Sequence, residues 1–509
     1  METIQSVALE VKAKPTKHIK SLREYIDALS GLGEIQQVEK EVDWNLEIGA
    51  ITRRVYETGA PAPLFNNIKG YPTGFRVLGA PAATSRQARL YLARVGLSLG
   101  LNPHATGQEM IEALAAARKR KGIPPRRLKT GPCKENITLG NNVDLLQFPT
   151  PMIHHGDAGR YFNTWGAMIV QSPDKKWTNW SISRMMLLDK NRMTGIVDQH
   201  QHLGMIHKMW RDIGKPTPFA LAQGCEPFVP FVCGMPLPAF VSEGEYAGAY
   251  FGEPIEVVKC ETSDLDVPAS AEIVVEGTIS HAETALEGPM GEYAGYLWTE
   301  TAEHQPVLNV TAITYRDQPI LPVVAAGEPV EEDHTCCGIT GAAELLLHLR
   351  EEGLPATMVW SPVATACHWW AVTVPVNYRR TINCSKEDLC RQIGKMVLDT
   401  KLGPQIPKVM VIHDDIDPTN LQELVWGFAT RCRPGEGEIV LHHAPIYPLI
   451  AFGTKSEKVT HDGTKSVYNC LGPEDWDDKL PERSSFRFAY PHDLQEKVIA
   501  SWASYGFAG

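Results

Sequence analysis

The sequence predicts an α+β / α/β protein built from a helical N-terminal piece, a central β domain and a C-terminal α/β domain. Three observations lead to that class. At 509 residues the chain exceeds one ordinary core and suits two to four domains. Between about positions 142 and 327 it is written in short runs rich in β-branched residues, separated by Gly, Pro and Asp, with long helical patterns scarce. After Gly338, segments of helical and strand period alternate, as an α/β unit requires.

Taken in order, residues 1–20 read as a flexible tail, 21–130 as an N-terminal α/β region, 131–330 as the central domain and 331–509 as the C-terminal domain. Ser21 and Glu24 have capping-box spacing ahead of an amphipathic run stopped by Gly31 and Gly33; Thr106 and Glu109 repeat the device before MIEALAAARKRKG. The cations ending that helix suit its dipole, and with Arg126, Arg127 and Lys129 they form the single basic cluster. A solvated helix end running into a proline linker explains it better than a nucleic-acid contact. TWGAMIVQ, AEIVVEGTIS, VLNVTAITYR and PILPVVAAG read as strands of a barrel or sandwich. Beyond them TGAAELLLHLREEG, SKEDLCRQIGKMVLDTK and NLQELVWGFATR read as helices, and ATMVW, VMVIHDDID and EIVLHH as strands. No internal repeat appears.

Composition excludes several classes. Hydrophobic residues are 43% and charged residues 21%, ordinary for a globular chain and wrong for disorder. A formal charge of −11 makes a poor partner for nucleic acid. No run of about 18 apolar residues would span a membrane, and the N-terminus lacks a secretory apolar core, so a cytoplasmic protein is expected. The 11 cysteines are scattered without a C-x-x-C, as reduced thiols are; Cys336-Cys337 reads as two buried small hydrophobes more readily than as a redox pair.

The common cofactor and nucleophile signatures, G-x-G-x-x-G, the Walker loop, H-E-x-x-H and G-x-S-x-G, are all missing. What remains is subtler. Glu287-Gly-Pro-Met-Gly-Glu292 places two carboxylates around a stretch that breaks helix and strand, so a loop can aim both into one cleft and split their pKa values; a surface turn with two solvated acids stays open. In Trp177-Thr-Asn-Trp-Ser-Ile-Ser-Arg184, strand alternation puts Asn179 and Arg184 on opposite faces unless the chain bends. His200-Gln-His202 on a strand would present two rings to one metal, and Glu243 is either an oxygen ligand or a helix-start acid.

The order N-W-S-I-x-R, Q-H-x-G-x-x-x-x-x-W, M-P-x-P-x-x-V-S-E-x-E-Y and E-G-P-x-G-E, running through nearly the whole chain, resembles the UbiD-type decarboxylases. The resemblance implies a central split β-barrel that binds prenylated FMN, a C-terminal α/β oligomerisation domain, and reversible decarboxylation of aromatic or α,β-unsaturated acids. It implies that Arg184, Glu287 and Glu292 form the catalytic network, Glu292 protonating the product carbon. It further implies a Mn2+ (or Mg2+) ion on Asn179, His202 and Glu243, and K+ at backbone oxygens near Trp180, Val232 and Met235. Cofactor contacts would come from Asn179, Trp180, Ser181, Ile182, Ser183, Arg184, Gln201, His202 and Glu243, with Lys401 and Arg431 at the phosphate. Chemistry gives the reason: CO2 leaving an sp2 carbon needs a covalent electron sink, which no side chain offers.

Asp198, Tyr293, His334, Cys337, Gln405, Tyr447 and Leu449 fall where the family lines its substrate pocket. The donors and acceptors of Asp198, Tyr293, His334 and Gln405 suit ring hydroxyls, since each buried polar group left unpaired costs about 1–3 kcal/mol. A protocatechuate- or gallate-like acid is therefore expected ahead of a cinnamate or ferulate. Implied partners are the acid and CO2, a flavin prenyltransferase that supplies the cofactor, and other copies of the chain as homodimer or homohexamer. Two competing readings are an FMN-dependent oxidoreductase, which leaves the paired carboxylates unexplained, and a non-catalytic assembly subunit, which would not need Arg184, Glu287 and Glu292.

Overall fold

A computed structural model describes residues 14–298, 302–476 and 479–507. Both expected caps form. Ser21 Oγ accepts from the Glu24 N–H at 3.2 Å, and Thr106 and Glu109 make the reciprocal box that opens the helix Gly107–Arg118. The N-terminal region also contains strands Ile35–Val38, Ala62–Phe65 and Arg76–Gly79, four residues each and too short to show a period. Their sheet is completed by Ile320–Val323, parallel to Arg76–Gly79. PILPVVAAG is thus a strand, but it leaves the central sheet and ties the end of that region back to the N-terminus.

The basic cluster is paired more than solvated. Arg118 meets Glu344 at 2.9 Å, Arg127 meets Asp266 at 2.8 Å, Arg126 meets Glu256, and Arg120 donates to the Ala249 and Tyr250 carbonyls.

The central sheet has nine strands. Its path runs Tyr161–Asn163, Met185–Leu187, Arg192–Gly195, Glu303–Tyr315, Ile273–Glu287, Thr217–Gln223, Gly166–Gln171, Thr178–Ser181, with Asn136–Leu139 also on Glu303–Tyr315. Neighbours are antiparallel throughout, and the two ends do not pair, so the barrel stays split. Thr164 comes directly after one end strand and Asn179 lies on the other, and both line one cavity. Three helices also interrupt this region, Phe228–Cys233 and two that matter for the site, His202–Asp212 and Glu243–Phe251. The first of that pair buries Leu203, Ile206 and His207, the spacing of one helix face. His200 and His202 are therefore not on a strand.

In the C-terminal part, Met358–Trp360, Trp369–Val374, Lys408–His413, Asp462–Cys470 and Glu438–Pro445 form a mixed sheet in that order, flanked by helices Lys386–Leu398 and Leu421–Arg431. Trp369–Val374 and Asp462–Cys470 were not among the expected strands; in the second, Lys465 is buried where an apolar residue would have marked the period. The helix expected from about position 340 starts earlier and spans Glu332–Glu351. Its C-terminal half packs on Gly107–Arg118, where Arg350 grips Glu112 through two bonds of 2.9 and 3.0 Å. Its first turn points at the cavity. All 11 cysteines are free. Among the described residues no helix is long and apolar enough to cross a membrane.

Candidate active site

A cavity of about 320 Å³ lies between the split barrel and the C-terminal part. One wall is the run from Asn179 to Arg184. The strand Thr178–Ser181 ends before Ile182, and regular pairing resumes only at Met185. Asn163 Nδ2 donates to the Ser183 carbonyl at 2.7 Å, and Ser183 Oγ to the Ile196 carbonyl at 2.6 Å. This pinned irregular link breaks the alternation, so Asn179 and Arg184 face the same space.

At one end, Arg184 forks onto Glu287, Nε to Oε1 at 2.8 Å and Nη2 to Oε2 at 2.9 Å, and its Nη1 donates to Glu292. Tyr161 adds its hydroxyl to Glu287 Oε1 at 2.9 Å. Glu287 closes its strand and is fully buried; Gly288, at φ +77°, then turns the chain as few side chains could. Asp157 pins the loop beyond that turn, accepting from the Gly291 N–H at 2.9 Å and the His154 N–H at 2.9 Å, while Ala158 N–H donates to the Pro289 carbonyl at 2.8 Å. The two carboxylates are therefore a buried pair sharing one guanidinium, not a solvated turn. Burial opposes the charge on Arg184, but Glu292 and Glu287 outweigh it and raise its pKa. Glu292 is raised above the ordinary carboxyl range, by burial first, against Arg184 and with help from the charges of Glu287 and Asp157. Glu287 thus takes the hydrogen bonds of both Arg184 and Tyr161, and its neighbour Glu292 is disposed to keep a proton.

At the other end, Glu243, first residue of its helix, accepts from Asn179 Nδ2 and from the Trp180 N–H, both at 2.8 Å. It serves as helix-start acid and candidate ligand together. Lys401 Nζ lies 3.1 Å from His202 Nε2. Burial raises Glu243 to about 7 and lowers Lys401 to about 8; burial and the Lys401 charge lower His202 to about 4, which leaves a neutral imidazole. Asn179 Oδ1 and Ser181 Oγ are buried with no hydrogen-bond partner. An orphaned amide oxygen, a neutral ring nitrogen and a buried carboxyl form a donor set for a borderline-hard divalent ion, and Lys401 supplies a cation for a phosphate beside it. These residues would fit the phosphate end of a flavin together with a divalent ion.

Ser181, Ile182, Ser183, Gln201, Met235, Asp198, Tyr293, Cys337, Gln405, Tyr447 and Leu449 also line the cavity. Others do not. Arg431 pairs with Asp415 through bonds of 2.7 and 2.6 Å and does not line the cavity. His334 sits behind Tyr293: its Nε2–H donates to the Tyr293 carbonyl at 2.8 Å, its Nδ1 accepts from the Glu331 N–H at 3.0 Å, and it does not line this cavity. His200 is exposed and pairs with Asp198 at 3.0 Å. The Trp180 side chain is core, and the Val232 carbonyl already accepts from the Met235 N–H at 3.2 Å. Asp157, Tyr161 and the cavity-lining Asp333 escaped the sequence reading. Asp157 had a signal, an acid set among glycines in HHGDAGR; Tyr161 had none.

Comparison with known proteins agrees with this geometry. The family described as 3-octaprenyl-4-hydroxybenzoate carboxy-lyase matches in three parts, its N-terminal domain over residues 26–114, its Rift-related domain over 126–329 and its C-terminal domain over 334–470. The chain is 42% identical to pyrrole-2-carboxylic acid decarboxylase of Pseudomonas aeruginosa, over 95% of this chain and 98% of that one. It is 37% identical to ferulic acid decarboxylase 1 of Saccharomyces cerevisiae, with the same coverage. An evolved dimeric form of the UbiD-class enzyme HmfF from Pelotomaculum thermopropionicum, solved with prFMN, superposes with a TM-score of 0.77 at 27% identity, covering 96% of this chain and 100% of that one.

Proposed function

This chain belongs to the UbiD family of carboxy-lyases that use prenylated FMN, and from that premise we propose that it decarboxylates a compact aromatic or heteroaromatic acid, with Glu292 as the proton donor. The buried Arg184–Glu287–Glu292 network supports this reading most directly. Prenylated FMN, when bound, supplies the covalent electron sink that lets CO2 leave an sp2 carbon. Everything else falls to the chain. Asn179, His202 and Glu243 would hold a Mn2+ or Mg2+ ion, and Lys401 the phosphate beside it; a K+ ion at backbone oxygens around Met235 belongs to the same reading. Arg184 is the cation at the reacting end, and it orients the incoming carboxylate while holding Glu287 through two hydrogen bonds. The C–C bond to the carboxyl breaks, CO2 departs, and the electron pair left at the ring carbon takes the proton from Glu292. Met290, Leu449 and the tyrosines exclude water around that transfer.

For the acid itself, Asp198, Gln405 and Tyr447 favour a ring with polar substituents, and burial pushes the Tyr447 phenol up to about 12, so it remains a donor. Pyrrole-2-carboxylate, the acid named for the Pseudomonas relative, and a hydroxybenzoate such as protocatechuate both meet that requirement better than cinnamate. A flavin prenyltransferase is the implied supplier of the cofactor, and light scattering would decide between a homodimer and a homohexamer. The test is to co-express the chain with such a prenyltransferase, identify the released flavin by mass, and measure CO2 evolution from the three acids. Release of CO2 from none of them, with prenylated FMN bound, would overturn the proposal.

A further inference from the structure

Asp333 is the second residue of the helix Glu332–Glu351, and one turn before Cys337 on the same face; both line the cavity. Its surroundings are unusual for an acid. Glu331 and Glu332, its neighbours, each accept from the protein: Glu331 takes the Asp333 N–H at 2.8 Å through one oxygen, and Glu332 takes the Ala82 N–H at 2.8 Å and the Tyr56 hydroxyl at 2.5 Å. Asp333 has no such partner. Among the described residues no side chain or N–H donates to its carboxyl oxygens, and no cation pairs with it, although Arg184 and Lys401 line the same cavity. The charges that act on it, Glu292 and Glu332, carry its own sign.

A carboxyl in that position is costly unless something in the cavity donates to it. Tyr293 and Cys367 stand beside it, and the Cys367 thiol is directed at the Asp333 main-chain carbonyl, at 3.9 Å, leaving the carboxyl itself open. Glu292 lines the same cavity, so a ring whose carboxyl-bearing carbon receives the Glu292 proton occupies the space that Asp333 also borders. We propose that Asp333 is the specificity-determining residue that accepts a hydrogen bond from a donor on the substrate ring, a heteroaromatic N–H or a phenolic O–H, and so selects acids that carry one. This rests on the ring-acid decarboxylase reading and sharpens it. Burial, with the charges of Glu292 and Glu332, brings Asp333 to about 7, as expected of an acid that waits for its donor until the ligand arrives.

Pyrrole-2-carboxylate and furan-2-carboxylate separate the idea cleanly, because they differ in one ring atom, N–H against O. Their kcat/KM values would be measured on the holoenzyme, and their Kd values by calorimetry on the Glu292→Gln holoprotein, in which turnover does not consume the titrant. The wild-type site is expected to prefer the pyrrole acid by about tenfold or more in both. Asp333→Asn, which keeps an acceptor oxygen, should retain most of that ratio, and Asp333→Leu should collapse it to within about threefold without weakening the furan acid. An undiminished ratio in Asp333→Leu, or no preference in the wild type, overturns the assignment. Preferential binding of the pyrrole acid without CO2 release would leave Asp333 assigned and sink the decarboxylase reading for that acid. Equal turnover and equal binding of both acids would do the reverse.

Discussion

Replacing Glu292 by Gln separates proton transfer from architecture. The carboxyl accepts one hydrogen bond from Arg184, through Nη1, whereas Glu287 accepts two at 2.8 and 2.9 Å. A Gln at 292 keeps an oxygen for that Nη1 donor and leaves the guanidinium paired with Glu287, so no buried charge is orphaned. It also removes an acid that burial already holds above its ordinary range, and hence one that contributes little ion-pair stability as an anion. Stability should therefore change by about 1 kcal/mol or less. Catalysis should not be spared. A positioned general acid is worth roughly 10²–10⁴ in rate, or about 3–5 kcal/mol of barrier, and an amide has no proton to give. The assay is CO2 evolution alongside deuterium entry into the product ring in D2O, with thermal unfolding as control. A Gln variant keeping more than about a tenth of wild-type kcat would refute Glu292 as the donor; a large drop in melting temperature would refute the claim that the pair is held by Glu287.

The same contacts set four further outcomes. Glu292 donates only while protonated, so turnover should fall as pH rises through its raised pKa; Glu287→Gln removes a like charge and leaves Arg184 to Glu292 alone, so that descending limb should move to lower pH, and an unmoved limb in the kcat profile would count against the coupling. Asp157→Asn replaces the charged acceptor of the Gly291 N–H, and should lower kcat about tenfold with KM nearly constant, because it loosens the loop that aims Glu292 and not the ring pocket. Gly195→Ala would place a Cβ 2.2 Å from the Arg184 carbonyl oxygen, so the strand or the arginine must shift; loss of activity at near-wild-type secondary structure, read by circular dichroism, is expected. Asn179→Ala removes the orphaned oxygen and the donor to Glu243, and retention of both divalent ion and flavin through gel filtration should drop about tenfold.

Legibility varied with range along the chain. Caps were readable because their partners lie three residues apart, and strands such as Gly166–Gln171 because they are long runs of buried residues. Glu287 and Glu292 could be suspected from the loop between them, yet nothing local says that Tyr161 and Asp157, more than 120 positions earlier, complete their setting. The strand period misled at Arg184, since it takes a bond from Asn163 to Ser183 to bend the chain and bring the arginine round to the side of Asn179. Family resemblance carried the remaining site assignments, and nothing local shows their tertiary partners: Asp415 pairs with Arg431, and the Tyr293 carbonyl accepts from His334. Asp333 went unread because a third acid in a row looks like a solvated helix start; only the cavity distinguishes it from Glu331 and Glu332.

The charge count at the reacting end explains why one arginine is shared between two acids. Arg184 and Glu287 neutralise each other through their paired hydrogen bonds, which leaves Glu292 to face whatever enters. A substrate arrives as a carboxylate and adds a negative charge beside an acid that burial already disfavours as an anion. Like charges at short range cannot both persist in such a place, so binding the substrate itself loads Glu292 with its proton. In the proposed reaction CO2 takes no net charge away with it, so one negative charge stays behind, and the proton recruited to Glu292 is the one available to cancel it when the ring carbon is protonated. Were Glu287 absent, Arg184 would hold Glu292 ionised and the recruitment would fail. Were Arg184 absent, two buried acids would compete for one proton and neither would be fixed in place. On the proposed reading, the shared guanidinium thus fixes one acid in place by two hydrogen bonds so that the other can respond to the substrate.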